Sequence, residues 1–134
     1  MRILPTILLL STLGPALAQP VVIGHAGLQP LDRKTLERIY TGRIVEIGGV
    51  RVTPVNLPQG NELREAFLRH YLSQDENKYT GYWTVRRYVG KGTPPPELPS
   101  SAEVVEFVSK TEGAIGYVES VEVPEGVQIL LRSP

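Results

Sequence analysis

The chain has 134 residues, with 14 basic and 14 acidic side chains and no cysteine. That balance excludes a nucleic-acid binder, whose phosphates call for a strongly positive face. It also gives no reason to expect attachment to anionic membranes. The missing thiols exclude thiol catalysis, thiolate metal sites and a disulfide framework.

The first predicted element is an export signal. Arg2 supplies a short positive region, Ile3 to Leu17 an apolar run centred on Leu8, Leu9 and Leu10, and Ala16-Leu17-Ala18 a small-x-small site. Those parts in that order predict cleavage after Ala18, with Gln19 as the new amino terminus. A membrane anchor fits less well. The run is shorter than the roughly 20 residues a span needs, and Pro5, Gly14 and Pro15 interrupt it. Without a cysteine there is no acceptor for a lipid anchor. The mature chain is therefore expected to be periplasmic or secreted, with no membrane insertion after the signal is removed. Residues 19–134 suit one α/β domain around one core.

Val21-Val22-Ile23 reads as a buried strand ending at Gly24. Asp32 caps a helix with Leu36, Ile39 and Tyr40 on one face, Leu31 stapling onto Leu36 and Gly42 as the stop. Gly48-Gly49 marks a small hairpin within Ile44 to Val52, and Val52 to Leu57 is the next strand. A second helix is predicted from about Asn61 to Leu72, with Leu63, Ala66, Phe67 and Tyr71 inward. Ser73 and Glu76 form a capping-box pair opening a third helix to about Tyr88. Tyr79, Tyr82, Trp83 and Arg86 share one side of it, where core packing is favoured over a ligand platform; Trp83 alone could bury roughly 200 Å².

Gly92 to Pro99 is a proline-rich loop. Ser100 and Glu103 repeat the capping box before a fourth helix with Val104, Phe107 and Val108 inward. Ala114 to Val118 and Val127 to Leu131 are strands, with Glu125-Gly126 as a turn between them. Strands separated by helical crossovers favour a mainly parallel sheet covered by helices.

Catalytic constellations are not found. There is no Gly-x-Ser-x-Gly elbow. His25 and His70 lack metal-ligand spacing to other ligands. Gly90-Lys91-Gly92-Thr93 fails as a phosphate loop, because Val85 stands where the leading glycine belongs and Gly92 separates lysine from threonine. No enzyme activity, metal or cofactor is expected. Arg86, Arg87 and Lys91 form a small basic cluster, read either as a solvated helix face or as a docking patch for an acidic partner or an anion.

Five stretches carry a family resemblance: Leu36-Glu37-Arg38-Ile39-Tyr40-Thr41-Gly42, Val52-Thr53-Pro54-Val55-Asn56, Arg64-Glu65-Ala66-Phe67, Tyr82-Trp83 and Gly113-Ala114-Ile115-Gly116-Tyr117-Val118. In these the chain resembles the second lobe of the periplasmic phosphate-binding proteins of ABC importers, and more closely their short stand-alone relatives. The resemblance implies a single lobe of the type 2 periplasmic binding fold and a small oxyanion ligand. The large relatives grip phosphate with an arginine and a Gly-Ser-Gly-Thr turn before the matching phenylalanine. Aligned on Phe67, that turn falls at Gly60-Asn61-Glu62-Leu63, the arginine position falls at or beside Leu57, and only Gly60 matches.

The candidate ligand residues are then Gln59, Gly60, Asn61 and Arg64, around a helix start whose free N–H groups favour an anion. Loss of the bidentate arginine removes about 1.5–3 kcal/mol of charge-assisted contact, and Glu62 opposes an anion further. Two functions compete, beside the bland alternative of a degenerate lobe with no present ligand. One is weak capture of phosphate or another oxyanion for an ABC permease or sensor. The other is a protein-interaction module of the envelope with a degenerate ligand site. One lobe leaves one side of a ligand wet, which pairing into a homodimer would remedy.

Overall fold

The computed structural model describes Ile3, Pro5 and residues 17–133. The expected signal, residues 1–18, lies almost wholly outside that set. The sheet has four strands: β1 (Pro20–Gly24), β4 (Thr53–Pro54), β5 (Ala114–Glu119) and β6 (Gln128–Arg132), in the order β4-β5-β1-β6. A separate hairpin pairs β2 (Glu46–Ile47) with β3 (Val50–Arg51) across Gly48-Gly49. The α/β architecture agrees with the sequence reading, with one correction to the sheet. β4 runs parallel to β5, but β1 is antiparallel to both β5 and β6. Three strands therefore share a direction and β1 alone opposes them. All five residues of β1 are buried. A strand covered on both faces carries the same apolar run in either direction, so its sequence holds no directional signal.

Helices cover both faces. α1 (Arg33–Tyr40) begins at Asp32, whose carboxylate accepts from the Thr35 amide at 2.7 Å. The Thr35 side chain first, and this amide contact second, hold the Asp32 carboxyl below its ordinary pKa. α1 buries Leu36, Ile39 and Tyr40. α2 (Glu62–Phe67) widens into a π-helical turn over Leu68–Leu72, and its Phe67 ring stacks on Tyr117 of β5 at 4.0 Å. On the opposite face α4 (Ser101–Lys110) approaches β5 so closely that a Cβ on Gly116 would lie 2.6 Å from Val104. Glycine there lets helix and sheet meet.

α3 (Glu76–Tyr88) lies across the end of α1. The Tyr40 carbonyl accepts from the Tyr79 hydroxyl at 3.0 Å and the Trp83 indole at 3.2 Å, and the Thr41 carbonyl accepts from the Tyr82 hydroxyl at 2.6 Å. The aromatic side of α3 thus supplies donors to carbonyls that a helix end leaves unpaired.

The Ser73–Glu76 capping box is not formed. Asp75 is the cap, accepting from the Lys78 amide at 2.8 Å, while Ser73 has φ 54° and ends the π-helical turn. A left-handed residue closing one helix cannot also be the extended cap of the next. Ser100 does cap α4, through the Glu103 amide at 3.3 Å.

Candidate functional site

The chain leaves the sheet after β4 and turns at Leu57–Asn61 into α2. Gly60, at φ 86°, makes the turn, and Asn61 caps the helix by accepting from the Arg64 amide at 3.1 Å. Gln59 is exposed and its amide donates to Thr80 at 3.3 Å. Beside the turn, the Thr93–Leu98 segment lies along Asn56 like an added strand. The Asn56 amide donates to the Pro96 carbonyl at 2.9 Å, and the Leu98 amide to the Asn56 carbonyl at 2.8 Å. Pro94, Pro95 and Pro96 therefore form one wall of the region.

Arg64 is the cation nearest this turn, and it is buried at 3 % exposure. Four of the five N–H donors of its guanidinium are engaged with protein. Nε and Nη2 donate to Glu76 at 3.2 and 3.1 Å, and Nη1 donates to the Leu57 carbonyl at 3.0 Å and to Glu97 at 2.7 Å. It also lies over the Tyr79 ring, 5.6 Å from the centroid. Two carboxylates face one guanidinium, so the local charge is net negative. An anion approaching Arg64 must displace Glu97, the more exposed of the two carboxylates, or meet its repulsion. Glu62 and Glu65 add acidic charge to the first turn of α2.

Below the turn lies a buried neutral network. The Asn56 amide donates to the Tyr79 hydroxyl at 3.1 Å, the Tyr117 hydroxyl to Asn56 Oδ1 at 3.0 Å, and the Leu57 amide to the Tyr117 hydroxyl at 3.1 Å. Burial pushes the Tyr79 hydroxyl up to about 12, and carries Tyr117 and Tyr40 well above the usual tyrosine range. All three are neutral donors at ordinary pH.

Next to Arg64 opens a cavity of about 670 Å³, its walls formed by Tyr79, Trp83, Tyr88 and the proline segment, with Gln59, Thr80 and Arg87 as polar groups. The size falls in the range of small-molecule sites. Of the four candidate ligand residues, the cavity gathers Gln59 and Arg64, while Gly60 and Asn61 shape the turn. The basic cluster is divided. Arg87 lines the cavity. Arg86 packs over Tyr82 and Trp83 and points toward the Gly42 carbonyl, and Lys91 stands exposed beyond. Sequence reasoning missed Glu76 and Glu97 as partners of Arg64. Glu76 carried only a capping role in that reading, and Glu97 lay in a loop without periodicity. His25 is structural, its Nδ1 lying 2.9 Å from the Val108 carbonyl. No cluster of three or more potential metal ligands occurs among the described residues.

The layered sheet, the turn after β4 and the cleft beside it form one α/β unit. No family model matches the chain, and no curated protein matches it. Solved structures do. An ABC-type phosphate transport receptor from Vibrio cholerae matches with a TM-score of 0.65 and 15% identity, over 84% of this chain and 45% of that one. A protein described as a phosphate ABC transporter substrate-binding protein from Clostridium perfringens, solved with bound phosphate, matches with a TM-score of 0.67 and 18% identity, over 84% of this chain and 44% of that one. The chain therefore has the fold of a partial periplasmic-binding-protein-like domain, and spans less than half the length of the structures it matches.

Proposed function

We propose that this chain is an exported, single-lobed binding module of the cell envelope, which engages a protein partner through the cavity beside Arg64 rather than capturing a bare oxyanion. The observation that carries this reading is the state of Arg64. Four of its five N–H donors are held by Glu76, Glu97 and the Leu57 carbonyl, so the helix tip offers an incoming anion at most one uncommitted N–H of the guanidinium. The cavity beside it has aromatic and proline walls with Arg87 at its edge. Such a surface suits an extended, partly apolar segment bearing an acidic group.

A second reading is favoured by the fold neighbours, one of them solved with phosphate. In it the lobe binds phosphate or a related oxyanion weakly at Gln59, Gly60, Asn61 and Arg64, for an ABC permease or a sensor, and Glu97 yields Arg64 to the ligand. Titration calorimetry and thermal shift with phosphate, sulfate and phosphonates separate the two. The first reading expects no heat and no stabilisation up to millimolar anion. It also expects crosslinking in periplasm to capture an envelope protein, with capture lost in Tyr88→Ala and Arg87→Ala. Stabilisation by phosphate that strengthens in Glu97→Gln overturns it in favour of the second.

A further inference from the structure

The residue at the expected cleavage point is already part of the fold. The Gln19 amide nitrogen donates to Glu119 Oε2 at 3.0 Å. The Gln19 carbonyl accepts from the Ser120 amide at 3.0 Å. The next residue, Pro20, pairs with Glu119 in the β1–β5 ladder, and its carbonyl accepts from the Tyr71 hydroxyl. Leu17, two residues earlier, is 86 % exposed. Ala18 between them packs partly against the core, and the hydrogen bonds that tie the chain to the sheet begin at Gln19.

We propose that Gln19 is the mature amino terminus, that its α-ammonium forms an ion pair with Glu119, and that this pair protects Gln19 from cyclisation to pyroglutamate. The inference rests on the export reading, because cleavage after Ala18 turns the amide nitrogen on Glu119 into a charged amine. Cyclisation requires the neutral α-nitrogen to attack its own side-chain Cδ. A lactam C–N bond forms, the Cδ–Nε2 bond breaks and ammonia leaves, with no co-reactant. An amine held on Glu119 lacks a free lone pair, since a nearby opposite charge favours the protonated form. Arg132 and His70 border the hollow beside Gln19. Once β1 is paired, the bond after Ala18 leads straight into the sheet, so processing is expected on the chain before it folds.

The test uses the full chain, exported with its leader and purified from the periplasm, with terminal sequencing and intact mass. The expected product begins at Gln19 and retains its ammonia. On incubation near about pH 8, where a terminal amine begins to lose its proton, Glu119→Gln is expected to cyclise roughly two- to fivefold faster than the parent, the scale of one exposed ion pair. Raising the salt to about 1 M is expected to speed the parent in the same direction by screening. That comparison decides the matter if the variant fails to accumulate. A mature start elsewhere overturns the export reading and this inference with it. A start at Gln19 with complete cyclisation on isolation, or with rates indifferent to Glu119 and to salt, overturns the ion pair alone.

Discussion

Beneath the Leu57–Arg64 turn, Asn56, Tyr79 and Tyr117 hydrogen-bond one another as neutral groups. At the turn itself Arg64, Glu76 and Glu97 do so as ions. Both sets fix the chain where it leaves β4, and they face water differently. The neutral set is sealed by the Tyr40, Phe67 and Tyr117 rings, whose centroids lie 4.0 to 6.4 Å apart. The ionic set keeps Arg64 buried but leaves Glu97 with 46 % of its side chain exposed. Buried neutral groups need only be paired. Buried ions must be paired and also recover a desolvation cost. The lobe has thus placed its rigid polar anchor inside and its charged, separable contact at the surface, where a partner can reach it.

The difference can be broken from either side. Phe67→Ala removes the ring that stacks on Tyr117 and contacts Tyr40, and is expected to cost about 3–5 kcal/mol in urea unfolding. Arg64→Met leaves Glu76 without its partner and is expected to cost about 3 kcal/mol, the low end for a buried pair because Glu97 faces water. Glu97→Gln should cost about 1 kcal/mol or less by the same measurement. A cost for Glu97→Gln equal to that of Arg64→Met would show that the two carboxylates are not distinguished by exposure.

Alkaline titration sharpens the contrast. Tyr79 is raised from 10.0 to about 12, mainly by burial. The folded state therefore holds a proton that the unfolded chain releases above about pH 10. Stability is fully present below that pH and falls as pH rises toward 12, by about 1.4 kcal/mol per unit for each such tyrosine. Phenolate absorbance should rise together with loss of structure. Ionisation of all tyrosines at their ordinary pH in a still folded protein would refute the sealed network. The smallest effects belong to the helix starts. Asp75→Ala and Ser100→Ala should each cost about 1 kcal/mol, whereas Ser73→Ala should leave the melting temperature almost unchanged.

Much of the fold is legible in the sequence. Asp32 followed by Leu36, Ile39 and Tyr40, the Gly48-Gly49 hairpin and the apolar runs of β1 and β5 state their structure locally. The Ser73 misreading has a local cause as well. A Ser-x-x-Glu pattern overlaps Asp75, and the better-placed carboxylate won once Ser73 was committed to ending the preceding turn. Other features need distance. β1 meets β5 and β6 from the far end of the chain, so local periodicity could not reveal its direction. The candidate turn was legible as a helix start at Asn61. The engagement of Arg64 was not, because Glu76 and Glu97 reach it from a different helix and from the proline loop. The π-helical turn at Leu68–Leu72 leaves the inward spacing of Phe67 and Tyr71 intact, so the apolar pattern looks like an ordinary helix.

The proline wall has a consequence for association. A sheet margin with free N–H groups can template another strand and grow into aggregates. Just past β4 that margin is taken at Asn56 by the backbone of Pro96 and Leu98, and Pro94, Pro95 and Pro96 present no N–H to a newcomer. Lateral growth of the sheet is thereby hindered beyond β4, which leaves its β6 side as the other margin. There the Leu31 amide already donates to the Leu130 carbonyl at 2.9 Å, and any strand-to-strand assembly of the lobe has to begin with the rest of that strand.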